Sequence, residues 1–256
     1  MNKLLKPNAL PLFAAAAGIV GGILNWILYR LGVDGKGLLV SGHPLSWLLW
    51  SVTAVTLGLI LLAVWKLDGS DAYEDNFASS IWAGLGHLLA GAGFVVTVLQ
   101  NPPMMQGSLG TLWYILGLLS GPSLLLAGFC RVRGKQPIFV LHMIPCLFLV
   151  LHIINHYQTW SGNPQIQDYV FVLLGAMALV FFSYYTAAFE VEFGNRRLHL
   201  GMGLSAVYLC MVALSCTEYL FLYAGGALWA QSSLCSLIPK PRAPENQEGE
   251  ICDDPA

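Results

Sequence analysis

The sequence predicts an all-α, polytopic membrane protein: a bundle of seven transmembrane helices, N-terminus in the cytoplasm and C-terminus outside. Composition comes first. Of 256 residues, 56% are hydrophobic and 10% are charged, whereas soluble domains carry about 25% charged residues. Long apolar runs also recur along the chain, and about 20 helical residues cross a hydrocarbon core of roughly 30 Å. Finally, these runs are continuous, unlike the alternating segments of about ten residues that build a membrane barrel. With 12 Lys and Arg against 14 Asp and Glu, the chain has no basic face for nucleic acid. The same composition excludes an ordinary soluble globule and a disordered chain.

The first span is read over Asn8–Leu31. Lys3 and Lys6 precede it, but it ends in Asn25, Trp26, Tyr29 and Arg30 and not at a small-residue cleavage site, so it is an uncleaved anchor. Five more follow: Leu45–Trp65, Ser79–Gln100, Gly110–Cys130, Pro137–Tyr157 and Asp168–Glu190. The seventh, Leu200–Ala230, belongs to a stretch whose apolar character persists to Ile238. As one helix that stretch would be about 58 Å long. No Pro or Gly marks a turn near Thr217 and Glu218, so it reads as one span with an outside extension. Residues 1–238 thus form a single transmembrane domain. The polar, Pro-rich tail 239–256 is expected to be disordered.

Basic residues set the orientation. With the N-terminus inside, the cytoplasmic segments hold Lys3, Lys6, Lys66, Arg131, Arg133, Lys135, Arg196 and Arg197. The outside holds Arg30, Lys36, Lys240 and Arg242, eight against four. Seven crossings put the tail outside, where Cys235 and Cys252 are candidates for a disulfide. Ala14, Gly18 and Gly22 in the first span, and Ala83, Gly86, Ala90 and Gly93 in the third, mark close helix packing. The third span is therefore expected at the bundle centre. Gly121–Pro122 predicts a kink in the fourth.

The residues Tyr157, Trp160, Ser161, Asn163 and Pro164, then Asp168 and Tyr169, then Tyr185 to Phe189 and Gly194 to Arg197, carry a family likeness. Over about this quarter the chain resembles uncharacterised multi-helix membrane proteins of anaerobic Gram-positive bacteria. The resemblance implies a bacterial plasma membrane and carries over no activity and no catalytic residue.

Ionisable groups inside a span are costly and mark functional positions. At about 1.5 Å per residue, His142 lies about 8 Å from the cytoplasmic side, His152 about 22 Å and His156 about 28 Å. Glu218 lies about 27 Å in if its helix starts at Leu200. Asn25 and Asp168 reach the same outer third, while the inner half holds His87, His142 and the Tyr184–Tyr185 pair. On the fifth helix His142, His152 and His156 fall within an arc of about 80°, with Asn155 adjacent. These positions predict an outward-facing polar pocket lined by Asn25, His152, Asn155, His156, Asp168 and Glu218.

The function expected of such a pocket is binding of a small molecule or ion for transport or sensing. Two alternatives stay open. His152 and His156 have the i, i+4 spacing that presents two imidazoles on one helix face, which makes zinc the candidate metal and a metalloenzyme acting on lipid-like substrates the second reading. The third is an accessory subunit whose polar stripe docks another membrane protein. Bis-histidine haem ligation has only His87 as a partner on a second helix and is unsupported. Neither a C-x-x-C nor a phosphate-binding glycine loop is present. The partners implied are the lipid bilayer and an unidentified small molecule or ion.

Overall fold

The computed structural model describes residues 9–32, 40, 42–65, 72–102, 107–160, 169–215 and 219–238. Among the described residues, eight long helices and one short one follow in order. They are α1 (Ala9–Leu31), α2 (Pro44–Trp65), the single turn α3 (Tyr73–Asn76), α4 (Ile81–Gln100) and α5 (Ser108–Val132), then α6 (Val140–Trp160), α7 (Val170–Phe189), α8 (Arg196–Ala213) and α9 (Leu220–Cys235). Six of them, α1, α2, α4, α5, α6 and α7, are long and apolar enough to cross a bilayer. Polarity is distributed as lipid requires. Leu61, Leu62, Trp65, Ile81 and Trp82 face outward, while His87, His142, His152, His156, Glu190 and Arg131 are buried.

The single helix expected over Leu200–Ala230 is instead two helices, α8 and α9, neither of which is among the six long apolar ones. A continuous helix of that length would project far beyond a hydrocarbon core of roughly 30 Å, whereas folding it back buries both halves. No glycine or proline stands between them in the sequence, and side chains meet the Val212 carbonyl near the end of α8. Asn25 Nδ2 on α1 and Ser215 Oγ both donate to the Val212 carbonyl, at 3.3 and 3.0 Å, and Asn25 also bonds Ser215 Oγ. The hairpin is antiparallel: at its far end Arg196, which opens α8, donates to the carbonyl of Ile238, just past α9, at 2.6 Å.

Helix α4 lies between α5 and α9, as its small residues predict. A Cβ on Gly86 would collide with Ser232 of α9, and one on Gly128 of α5 would sit 2.9 Å from the His87 Cβ. The expected kink at Gly121–Pro122 leaves α5 unbroken, and Gly121 there touches α4, where a Cβ on Gly91 would meet its carbonyl oxygen at 2.9 Å. Two caps start helices where the sequence offers a side-chain acceptor: Ser80 accepts from Ala83 N, and Asn195 from Leu198 N, each at 3.2 Å.

One end of the bundle gathers the basic residues. It combines α3, the start of α4, the α5–α6 and α7–α8 connections and the end of α9. The Phe77–Leu237 bridge and a bond from Ile238 N to Asn76 O (2.9 Å) fasten the end of α9 to the residues around α3. Arg131, Arg133, Lys135, Arg196 and Arg197 all lie at this end.

Candidate functional site

A well-connected polar group among the described residues lies just inside the end that carries Arg131 and Arg196. His87 belongs to the second turn of α4, and His142 is the third residue of α6. Glu190 follows the last residue of α7, and Trp229 comes from α9. Packing at Gly86 and Gly128 brings α4, α5 and α9 close enough for these side chains to meet.

Proton positions follow from the acceptors. His87 Nδ1 is 2.7 Å from the carbonyl oxygen of Ala83, which can only accept, so Nδ1 carries the hydrogen. In the neutral ring Nε2 is then a lone pair, and it accepts from the Trp229 indole N–H at 3.0 Å. His142 Nε2 lies 3.2 Å from the same nitrogen and must donate. On its other side, His142 Nδ1 is 2.6 Å from Glu190 Oε1. With Nε2 protonated, the Nδ1–Oε1 contact needs one further proton, held by the imidazole as an imidazolium–carboxylate pair or by the glutamate as a carboxylic acid. Both forms have zero net charge.

His142 sits in the first turn of α6 and Glu190 just past the C-terminal end of α7. Glu190 Oε2 has no hydrogen-bond partner among the described residues. Two guanidiniums lie at the same end of the bundle. Arg131 donates to Ser236 Oγ at 2.7 Å and Tyr73 Oη at 3.3 Å and lies over the Phe77 ring at 4.3 Å. Arg196 bonds Asn76 Oδ1 at 3.0 Å as well as Ile238 O. His199 is close enough to Arg131, Arg196 and His142 to feel their charge, and Tyr73 close enough to feel Glu190. Burial pushes the Tyr73 hydroxyl up from its ordinary value, opposed by Arg131.

The aromatic surroundings hold the rings still. Trp229 stacks on His142 (centroids 5.8 Å, planes 8° apart) and meets His87 edge-on at 5.7 Å. Ser183 Oγ donates to the His142 carbonyl at 2.7 Å, and Gln136 Nε2 to the Glu190 carbonyl at 2.8 Å.

Of the residues expected to line the outer pocket, His152, Asn155 and His156 are buried together on α6. His152 and His156 have ring centroids 4.3 Å apart and both touch the Tyr219 ring. Asn25 is buried on α1, and its hydrogen bonds go to Val212 and Ser215 at the end of α8. Asp168 and Glu218 lie outside the described residues, as do Cys252 and the tail. Cys235 has no disulfide partner among the described residues. Among the described residues no three His, Cys, Asp or Glu side chains gather as a metal-binding set.

The inner half holds more than the sequence reading recognised. His142 is joined by Glu190, Trp229 and His199, while Tyr184 is half exposed on the outer surface. Glu190 reads as the end of a span, and its role depends on a partner 48 positions earlier. The one legible signal is an acidic residue that closes a long apolar run.

The chain matches no family model, and neither a curated protein nor a solved structure is found to be similar to it. The fold and the site therefore define its class, a helical membrane-type bundle with a buried imidazole–carboxylate chain. The resemblance to bacterial membrane proteins rests on the motif residues alone.

Proposed function

We propose that this chain binds a proton at Glu190, His142 and His87 and uses its movement for transport or sensing across the membrane in which it lies. The carrying observation is the 2.6 Å contact between His142 Nδ1 and Glu190 Oε1, continued by the 3.2 Å contact to His87 Nε2. Adding or removing one proton there reverses donors and acceptors along the chain. If His142 keeps Nδ1–H for a carboxylate and loses the Nε2 proton, two imidazole lone pairs face each other unless His87 changes tautomer. That change would set a bare Nδ1 against the Ala83 carbonyl and an N–H against the Trp229 indole. Such an arrangement has two discrete states, which a switch or a coupled transporter requires.

The orientation belongs to the same reading. Eight crossings return the tail to the side of the N-terminus. The cytoplasmic side then holds Lys240 and Arg242 beside the eight basic residues already counted there, leaving Arg30 and Lys36 outside: ten against two. Cys235 would accordingly sit in a reducing compartment. A reporter fused after Ala256 is expected to be cytosolic, and an external reporter would remove this topology.

Trp229 supplies the test of proton binding. In a variant keeping only this tryptophan, its emission is expected to change with pH, because an imidazolium stacked on an indole quenches it. Glu190→Gln and His142→Gln should each abolish the change. Proteoliposomes carrying an internal pH dye then separate transport from sensing. A pH-independent emission, or an unaltered response in both variants, defeats the proposal.

A further inference from the structure

Outside the polar core, a groove runs along the lipid-facing surface between α2 and α8. Thr53 meets Tyr208 through a 2.9 Å hydrogen bond between their hydroxyls, and Val64 lies beside Gly201, so the two helices run antiparallel. Toward the end that carries Arg196 they part around a space of about 340 Å3, where Leu61, Val64 and Trp65 of α2 face Leu198, Gly201 and Met202 of α8. Gly201 keeps this space wide: a Cβ there would lie 3.7 Å from Val64 Cγ1, in ordinary contact. Ser205 Oγ, at the inner end, donates to the Gly201 carbonyl at 2.8 Å and so turns its hydrogen away from the groove.

Charge stands at one end of the groove. Arg197, exposed in the first turn of α8, is the one charged side chain among the described lining residues, and Glu74, Asp75 and Glu192 are not part of the lining. On the α2 side Trp65, the last residue of its helix, is 83% exposed, a placement typical of tryptophan at headgroup level. Eight positions of α8 separate Arg197 from Ser205, about 12 Å. That lies within the depth of about 15 Å that half of a roughly 30 Å hydrocarbon core provides. An apolar trough of this depth suits an acyl chain, and a guanidinium binds phosphate oxygens through paired N–H donors. With no carboxylate in the lining, a headgroup of net negative charge is favoured over one whose ammonium offsets its phosphate. We propose that this groove binds one chain of an anionic phospholipid, with the phosphate at Arg197. Basic pockets between membrane helices hold anionic headgroups in this way. The site shares no residue with the Glu190–His142–His87 chain.

The test uses the full chain in detergent micelles carrying phosphatidylglycerol or phosphatidylcholine with brominated chains, which quench a tryptophan they touch. The emission of the unaltered chain less that of Trp65→Phe isolates Trp65. Half-maximal quenching is expected at a mole fraction of phosphatidylglycerol about fivefold lower than that of phosphatidylcholine, the scale of one basic residue at an anionic surface. Arg197→Gln should remove this preference. Gly201→Leu, which fills the groove, should also bring phosphatidylglycerol to the phosphatidylcholine level. Arg197→Gln replaces an exposed side chain, so it decides the matter even if Gly201→Leu fails to fold. Glycerol phosphate, the headgroup chemistry without chains, should not displace the lipid at millimolar concentration. Equal quenching by the two lipids, a preference that survives in Arg197→Gln or in folded Gly201→Leu, or displacement by glycerol phosphate overturns the proposal.

Discussion

Replacing Glu190 by Gln keeps the shape of the side chain and removes its ability to pair with a proton. The carboxylate contacts His142 at 2.6 Å, and both side chains are almost wholly buried, at 0% and 1% exposure. Breaking a buried pair by removing one member costs about 3–5 kcal/mol, because the survivor keeps its desolvation penalty. The glutamine amide can still bond one imidazole nitrogen, so the lower end applies and Glu190→Gln should lose about 3 kcal/mol. His142→Gln should lose a similar amount, and more if His87 is left without its donor. The two losses should not add: replacing both members by apolar residues of similar volume removes both penalties and is often close to neutral. Glu190→Leu combined with His142→Leu should therefore be more stable than the sum of the two single Leu variants implies, by about 2 kcal/mol or more. Reversible unfolding in mixed micelles, or in bilayers by a trapping ligand, gives all four free energies of the cycle. Additive losses below about 0.5 kcal/mol each, the size of an ordinary surface change, would refute the coupled pair.

Other consequences are simpler to check. Gly86→Leu drives a side chain into Ser232 where α4 meets α9, and overpacking of this kind costs about 1–3 kcal/mol or more; Gly58→Leu, with nothing within 4 Å of its Cβ position, should fold normally, and equal expression and melting of the two variants would contradict the helix arrangement. Asn25→Leu removes the bonds to Val212 and Ser215, so the α8–α9 turn should loosen by about 1 kcal/mol, the scale of interhelical hydrogen bonds in membranes. Hydrogen exchange confined to the end of α8 would report it, and unchanged protection there would count against the capping role. Because burial pushes the Tyr73 hydroxyl above its ordinary value of 10.0, its neutral form is favoured in the folded chain. Its contribution is complete below pH 10 and declines above it, as the unfolded chain begins to lose the phenolic proton first. Tyr73→Phe should flatten the alkaline limb of a stability profile, and an unchanged limb would mean that Tyr73 does not contribute to it.

What the amino-acid string determines by itself is the solvent and the building material. Fifty-six per cent apolar residues in long continuous runs can be accommodated only by helices in lipid, because a backbone in hydrocarbon has to satisfy its own hydrogen bonds. The helical face shared by His152 and His156, and the slimness of α4, were equally legible, since both depend on local spacing. The break between α8 and α9 was not. It carries no Gly or Pro, and the Val212 carbonyl beside it is met by Asn25, from a helix almost two hundred residues away in the chain. Nor could spacing reveal that His142 parts company with His152 to join His87, Glu190 and Trp229. Periodicity tells which side of a helix a residue occupies; which helix stands opposite is decided by how the whole set of small and large side chains fits together, and only the tertiary structure contains that fit.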